Sequence, residues 1–217
     1  MICSRSLFKL QKKSFRHFSS WINKDILEST KAVHSGVIPD TKTGAILSPI
    51  IQSTTFIQDS VDKYLSKGFS YSRQANPTVS DLEKKIAIME NGYGATCVGT
   101  GMAATTTVIS GLMNSGDHCI ITESSYGGTN RLCREQFIPL GMEFDFIDFR
   151  DLDLIKKSIK PNTKLIFSES PSNPLLRLCD IEKISEIAKE NNCHHVCDST
   201  FATSIILKPI DYGVDIV

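Results

Sequence analysis

From residue 95 onward the chain alternates short, β-rich apolar runs with amphipathic helical segments, and this alternation limits the fold more than any other feature. The spacing predicts strands over 95–98, 118–122, 144–147, 164–168 and 195–198, with helices over 102–113, 128–137, 152–159 and 181–190 between them. Strands that run the same way need long crossovers, and helices supply them, so the order implies an α/β fold with a mostly parallel sheet and helices on both faces. Another helix is predicted over 79–89, with Leu82, Ile86 and Met89 on one side and Gly92 just past its end. Ahead of it, 25–77 reads as an irregular arm, broken by Pro39, Pro49 and Pro77 and by Gly36, Gly44 and Gly68. Such an arm needs another surface to lie on. Residues 78–217 then form the body.

The first 24 residues are a separate object. Arg5, Lys9, Lys12, Lys13, Arg16 and Lys24 all precede the first acid, Asp25. Removing those six from 24 basic residues leaves 18 against 24 acidic ones, so the rest is mildly acidic and has no general pull toward nucleic acid. Serines, the lack of acid, and Leu7, Leu10, Phe15 and Phe18 among the cations compose residues 1–24 like an organelle transit segment, mitochondrial or otherwise. A basic tail on a cytoplasmic protein is the alternative. No apolar run approaches the roughly 20 residues of a membrane-spanning helix. Seven cysteines without a close CxxC pair argue against a disulfide framework. The run Cys193-His194-His195-Val196-Cys197 has the residue types of a metal cluster, but a strand there sends alternate side chains to opposite faces, so no metal site is expected.

Ligands of parallel sheets sit at the carboxyl ends of strands, which selects the residues to inspect. The first predicted strand ends in Gly99-Thr100-Gly101-Met102 before a helix. Glycines there admit an anion to the free N–H groups and the positive end of the helix dipole. The same stretch fits the G-x-G-x-x-A form of a dinucleotide fingerprint, with Glu123 where a ribose-binding acid belongs, so a nicotinamide-binding protein remains open on this motif. After the second strand, Tyr126 precedes Gly127-Gly128 and offers a flat ring to a planar ligand, while Arg131 could fork onto a carboxylate. The fourth strand runs into Glu169-Ser170-Pro171-Ser172-Asn173-Pro174, where two prolines stiffen the loop that carries the Asn173 amide. The fifth delivers Asp198 from an apolar run. Such a carboxylate calls for a cation, and a protonated pyridine nitrogen is one.

Taken together, Tyr71-Ser72-Arg73-Gln74-Ala75-Asn76-Pro77-Thr78, Thr100-Gly101-Met102-Ala103-Ala104, Tyr126-Gly127-Gly128-Thr129, Glu169-Ser170-Pro171-Ser172-Asn173-Pro174 and Asp198-Ser199-Thr200-Phe201 resemble, in order and spacing, the Cys/Met-metabolism family of fold-type I pyridoxal-phosphate enzymes. The resemblance runs from about residue 30 to the last residue. It implies that 78–217 are an incomplete pyridoxal 5'-phosphate-binding large domain. The backbone of Gly101 and Met102 would hold the cofactor phosphate, with Tyr71 and Arg73 reaching in from a neighbouring subunit. Tyr126 would stack on the ring and act catalytically in proton transfer, Asn173 would bond the phenolic oxygen, and Asp198 the ring nitrogen. Thr200 would support the ring, and Arg131 would bind substrate.

The resemblance further implies small amino-acid substrates and a homodimer or homotetramer with shared active sites. The reaction would be trans-sulfuration, most like γ-replacement of an activated homoserine by cysteine, with the related γ-lyase reactions as alternatives. Cys197 and Ser199 stand where the family usually has valine and asparagine beside the ring aspartate, and Thr100 where many members have serine. The family's Ser-x-x-Lys element would follow Asp215-Ile216-Val217, whereas Lys208 is the last lysine here and does not match it. The expectation is a part of a longer protein, or a lysine-less remnant. In either case the first strand is expected to lack a partner, because a later strand of the family's sheet lies beside it.

Overall fold

The structure, a computed structural model, describes residues 26–64 and 68–217 together with the backbone of 2–4. The expected transit segment, 1–24, lies outside the described residues apart from that tripeptide. The chain divides into two compact units, one ending at Met89 and the other running from Glu90 to Val217 together with residues 2–4.

In the first unit a two-turn helix, α1 (Glu28–His34), lies within the arm that was expected to be irregular. It buries none of its own residues, so it carries no periodic apolar signal, and a Lys31–Glu28 pair at 2.6 Å spans one of its turns. Helix α2 (Pro77–Met89) starts two residues before the predicted position. Proline suits the first helical position, where no N–H is needed, and Asn76 caps the turn by accepting from Thr78 N–H at 2.9 Å. The Asn76 amide also donates to Ile51 O (3.1 Å) and Ser72 Oγ (3.0 Å), which ties the arm to the helix start. Gly36, at φ +73°, is required by close approach: a Cβ there would lie 2.7 Å from the Lys85 backbone nitrogen.

The second unit contains β1 (Ile2–Ser4), β2 (Gly94–Thr96), α3 (Gly101–Leu112), β3 (His118–Thr122) and α4 (Gly127–Leu132), which passes into a π-helical turn, Cys133–Phe137. There follow β4 (Glu143–Ile147), α5 (Leu152–Ser158), β5 (Thr163–Glu169), α6 (Ile181–Glu190), β6 (His194–Asp198), the single turn α7 (Thr203–Ile206) and a 3-10 turn, Pro209–Tyr212. Four of the five predicted strands form a parallel sheet, in the order β4-β3-β5-β6. The expected lack of a partner for the first strand does not hold. β2 pairs antiparallel with β1, Ile2 opposite Thr96, in a sheet of two strands. An unpaired strand edge offers a row of N–H and C=O groups, and an extended segment of the same chain can satisfy it.

Side-chain alternation sorts the core into two layers. Cys119, Ile121, Leu165, Phe167 and Val196 pack with Val108 and Ile109 of α3, with Met113 just past its end, and with Cys133 and Phe137. On the other face Ile120 and Ile166 meet Ile155 of α5 and Ile184, Ile187 and Ala188 of α6. Each large aliphatic or aromatic side chain so buried contributes ~1.5–3 kcal/mol. Both faces of the sheet are therefore closed by helices, and its carboxyl edge is left to carry polar groups. His195, in the run weighed for metal, is fully buried between β5 and α6, where Ser168 Oγ and Ser185 Oγ each lie 2.8 Å from its ring nitrogens.

Candidate active site

β5 and β6 end in register, Glu169 opposite Asp198, so two carboxylates stand side by side on one edge. Their surroundings differ. Asp198 is half-buried, and its Oδ1 accepts from both the N–H (3.0 Å) and the hydroxyl (2.5 Å) of Thr200. Its Oδ2 has no hydrogen bond among the described residues. One oxygen thus fixes the side chain, and the other is open to a further donor.

Glu169 is buried, 6% exposed, and both its oxygens are occupied: Oε2 accepts from Tyr126 N–H at 2.6 Å and Oε1 from Asn173 N–H at 2.7 Å. Burial pushes its pKa up, and the nearby Asp198 charge adds to the rise, while the two N–H donors oppose it. Through this carboxylate the loop after β3 and the loop after β5 are joined. Sequence reasoning quoted Glu169 only as the first residue of a motif and gave it no role. A carboxylate at a strand end just ahead of a proline-rich loop was the available signal.

Tyr126 occupies the position before α4 and is 47% exposed. Its ring lies over Gly128, where a Cβ would sit 2.6 Å from Tyr126 Cε1 and 2.9 Å from Met102 Sδ. The starts of α3 and α4 therefore meet under the ring. At α3, Thr100 caps the helix by accepting from Ala103 N–H at 3.0 Å. The N–H groups of Gly101 and Met102 precede the intrahelical ladder and have no acceptor in it, and a Cβ added at Gly99 or Gly101 would meet nothing within 4 Å. The cradle is open where an anion would enter. Asn173 is half-buried in a loop closed by Leu176 N–H on Ser172 O (2.7 Å) and by Arg177 N–H on Ser172 Oγ (3.1 Å). Arg131, on α4, is exposed and forms no ion pair among the described residues.

Gly101, Met102, Tyr126, Asn173, Asp198 and Thr200 thus all belong to one unit, the last four at or just past the carboxyl ends of β3, β5 and β6 and the first two following β2. Tyr71 and Arg73 belong to the other unit, where both are exposed and the guanidinium carbon sits 4.9 Å from the tyrosine ring centroid. The dinucleotide alternative loses its support. Glu123 is already paired with Arg177 at 2.9 Å, and β2, which leads into the glycine turn, lies outside the parallel sheet that contains β3.

A sequence profile of the Cys/Met metabolism PLP-dependent enzymes matches residues 29–217. The chain belongs to that family. It is 40% identical over 196 residues to a cystathionine beta-lyase of Coxiella burnetii, covering 90% of this chain and 50% of the relative. It is 39% identical over 189 residues to a cystathionine gamma-synthase of Mycobacterium tuberculosis, covering 87% of this chain and 48% of the relative. The crystal structure of cystathionine gamma-lyase from Lactobacillus plantarum, complexed with L-serine, superposes with a TM-score of 0.83 at 37% identity, covering 88% of this chain and 49% of that one. The chain spans about half the length of the curated relatives it matches. Three different activities at nearly equal identity leave the particular member of the family unresolved.

The residues present fit the family's cofactor. Pyridoxal phosphate needs an anion cradle, a ring-sized exposed aromatic face and a carboxylate with a free oxygen, and the turn at Gly101, Tyr126 and Asp198 supply one each. Two buried hydroxyls next to the site residues, those of Ser125 and Ser199, also find no partner among the described residues.

Proposed function

We propose that this carboxyl edge binds pyridoxal 5'-phosphate and serves an enzyme of cystathionine metabolism, most like cystathionine γ-synthase, which replaces the γ-substituent of an activated homoserine with cysteine. The observation that carries the reading is Asp198, held by Thr200 through one oxygen and left with the other for a protonated ring nitrogen. When bound, the cofactor supplies an electron sink for amino-acid carbanions. The chain's own residues hold and orient it. Gly101 and Met102 N–H groups, at the positive end of α3, hold the phosphate. Tyr126 covers the ring, and its phenol takes part in moving substrate protons. The Asn173 side-chain amide donates to the phenolic oxygen, and Arg131 takes the substrate carboxylate.

Tyr71 and Arg73 add to the phosphate grip from a second copy of the chain. Support for a shared site is their exposure and mutual stacking. The lyase readings are carried by the relatives named for β- and γ-lyase activity. An acylated homoserine with cysteine, offered against cystathionine alone, separates synthesis from cleavage.

The cofactor reading is tested with pyridoxamine 5'-phosphate, which needs no covalent link, titrated calorimetrically into the chain. Asp198→Ala is expected to weaken binding at least tenfold, because a buried cation loses its counter-charge. Unchanged affinity would remove Asp198 from the site and the proposal with it.

A further inference from the structure

Two carboxylates end adjacent strands, yet only one of them has an oxygen to spare. The geometry points to Glu169 as the positioning residue that locks Tyr126 and Asn173 into one rigid pair. This rests on the pyridoxal phosphate reading for its purpose, though not for its geometry.

Burying a carboxylate is costly. A carboxylate that is 6% exposed has lost most of its hydration, and no cation pairs with it among the described residues. An uncharged side chain would be cheaper to bury there. What the carboxylate alone provides is two acceptors in a fixed plane, each able to take a strong bond from a backbone N–H. Those N–H groups are far apart along the chain. Tyr126 precedes Glu169 by 43 residues and Asn173 follows it by four, and the bonds measure 2.6 and 2.7 Å.

Each bonded N–H belongs to a residue whose side chain faces a different part of the proposed cofactor. Holding the main chain at those two points fixes the relative placement of the ring cover and of the amide donor, which no local turn could do. Register pairing with Asp198, and the Ser170 N–H bond to Asp198 O at 3.1 Å, extend the same frame to the third ring contact. Glu169 touches no ligand itself. It acts through the residues it holds.

Glutamine is the informative replacement. Its volume matches, but it offers one acceptor and turns an NH2 toward the other N–H, so one loop is released (Glu169→Gln). The full chain, labelled with 15N, is titrated with acid while the Tyr126 and Asn173 amide protons are followed by NMR. Both are expected well downfield and to move together with a single midpoint, that of the carboxyl they share. In Glu169→Gln at least one should lose its downfield shift and its titration. Pyridoxamine 5'-phosphate binding should weaken about tenfold, with Asp198 untouched.

Separate midpoints for the two amides in the parent chain would overturn the clamp, whether or not the variant folds. So would glutamine at 169 with unchanged ligand affinity. If the two amides titrate together but the parent chain does not bind pyridoxamine 5'-phosphate, the clamp stands and the cofactor reading falls.

Discussion

Gly128→Ala should separate the ligand site from the stability of the fold. The Cβ it adds would sit 2.6 Å from Tyr126 Cε1 and 2.9 Å from Met102 Sδ. An ordinary contact begins near 3.4 Å, so the tyrosine ring must shift by at least 3.4 − 2.6, about 0.8 Å. The ring can do so readily, because Tyr126 is 47% exposed and no packed core stands above it. Overpacking within a closed core costs ~1–3 kcal/mol, but here the strain is released outward. Against it, alanine gains ~0.5–1 kcal/mol over glycine within a helix, and the φ of Gly128 is an ordinary one. The net change in stability is expected within about 1 kcal/mol of zero. The ligand should respond differently. Ring stacking is worth ~0.5–1.5 kcal/mol beyond the area it buries, so displacing the tyrosine ring should lower pyridoxamine 5'-phosphate affinity by about 2- to 10-fold. Thermal unfolding and calorimetric titration of the same samples check both halves. Parent-like affinity in a folded variant would refute the idea that the ring of Tyr126 covers the ligand.

Other outcomes follow from the buried polar groups. Burial pushes the His195 pKa down from the usual 6.5 to about 3, with the Asp215 charge pulling weakly the other way, so the ring is neutral in the fold. The unfolded chain then binds the extra proton as pH drops below 6.5, and stability worth on the order of 4 kcal/mol should be lost between pH 6.5 and 3. Denaturant unfolding against pH should show a shallower acid slope in His195→Gln than in the parent, and equal slopes would contradict the assignment. Asn76→Ala removes the α2 cap and the tie to Ile51 together, with an expected loss of ~1–2 kcal/mol. Faster amide exchange at Thr78, whose N–H the Asn76 side chain holds, would report it, and parent-like protection there would count against it.

The parallel sheet was legible because its central strands, β3 and β5, are buried along almost their whole length and the crossover segments carry a helical period. β3 and α6 fall on the predicted residues, since both are bounded by changes from apolar to polar text. α1 was not legible because it buries nothing, and a helix without a buried stripe leaves no period to read. The partner of β2 was not legible either, because an edge strand recruits its neighbour through backbone groups, which every sequence has. Of the site, Asp198, Tyr126 and the glycine turn announced themselves through strand-end position. Glu169 did not. Its function lies in two backbone N–H donors that only the folded chain brings to it.

The pair of acids at the sheet edge shows why residue type alone underdetermines chemistry. Glu169 and Asp198 have the same functional group, adjacent strands and matched register. What separates them is the supply of donors. Two loops converge on Glu169 and consume both its oxygens, so its charge is spent inside the protein as a brace. Asp198 receives both its donors from one residue, Thr200, and on one oxygen. Both Thr200 bonds fall on Oδ1, and Oδ2 stays open to whatever enters. Moving that hydroxyl and N–H away would loosen the side chain without freeing a new acceptor. Supplying a second donor to Oδ2 would silence the group while leaving the fold intact. The division between brace and binder is therefore set by the loops that follow the strands, and the edge can hold one of each only because the proline-rich loop after β5 turns back onto Glu169.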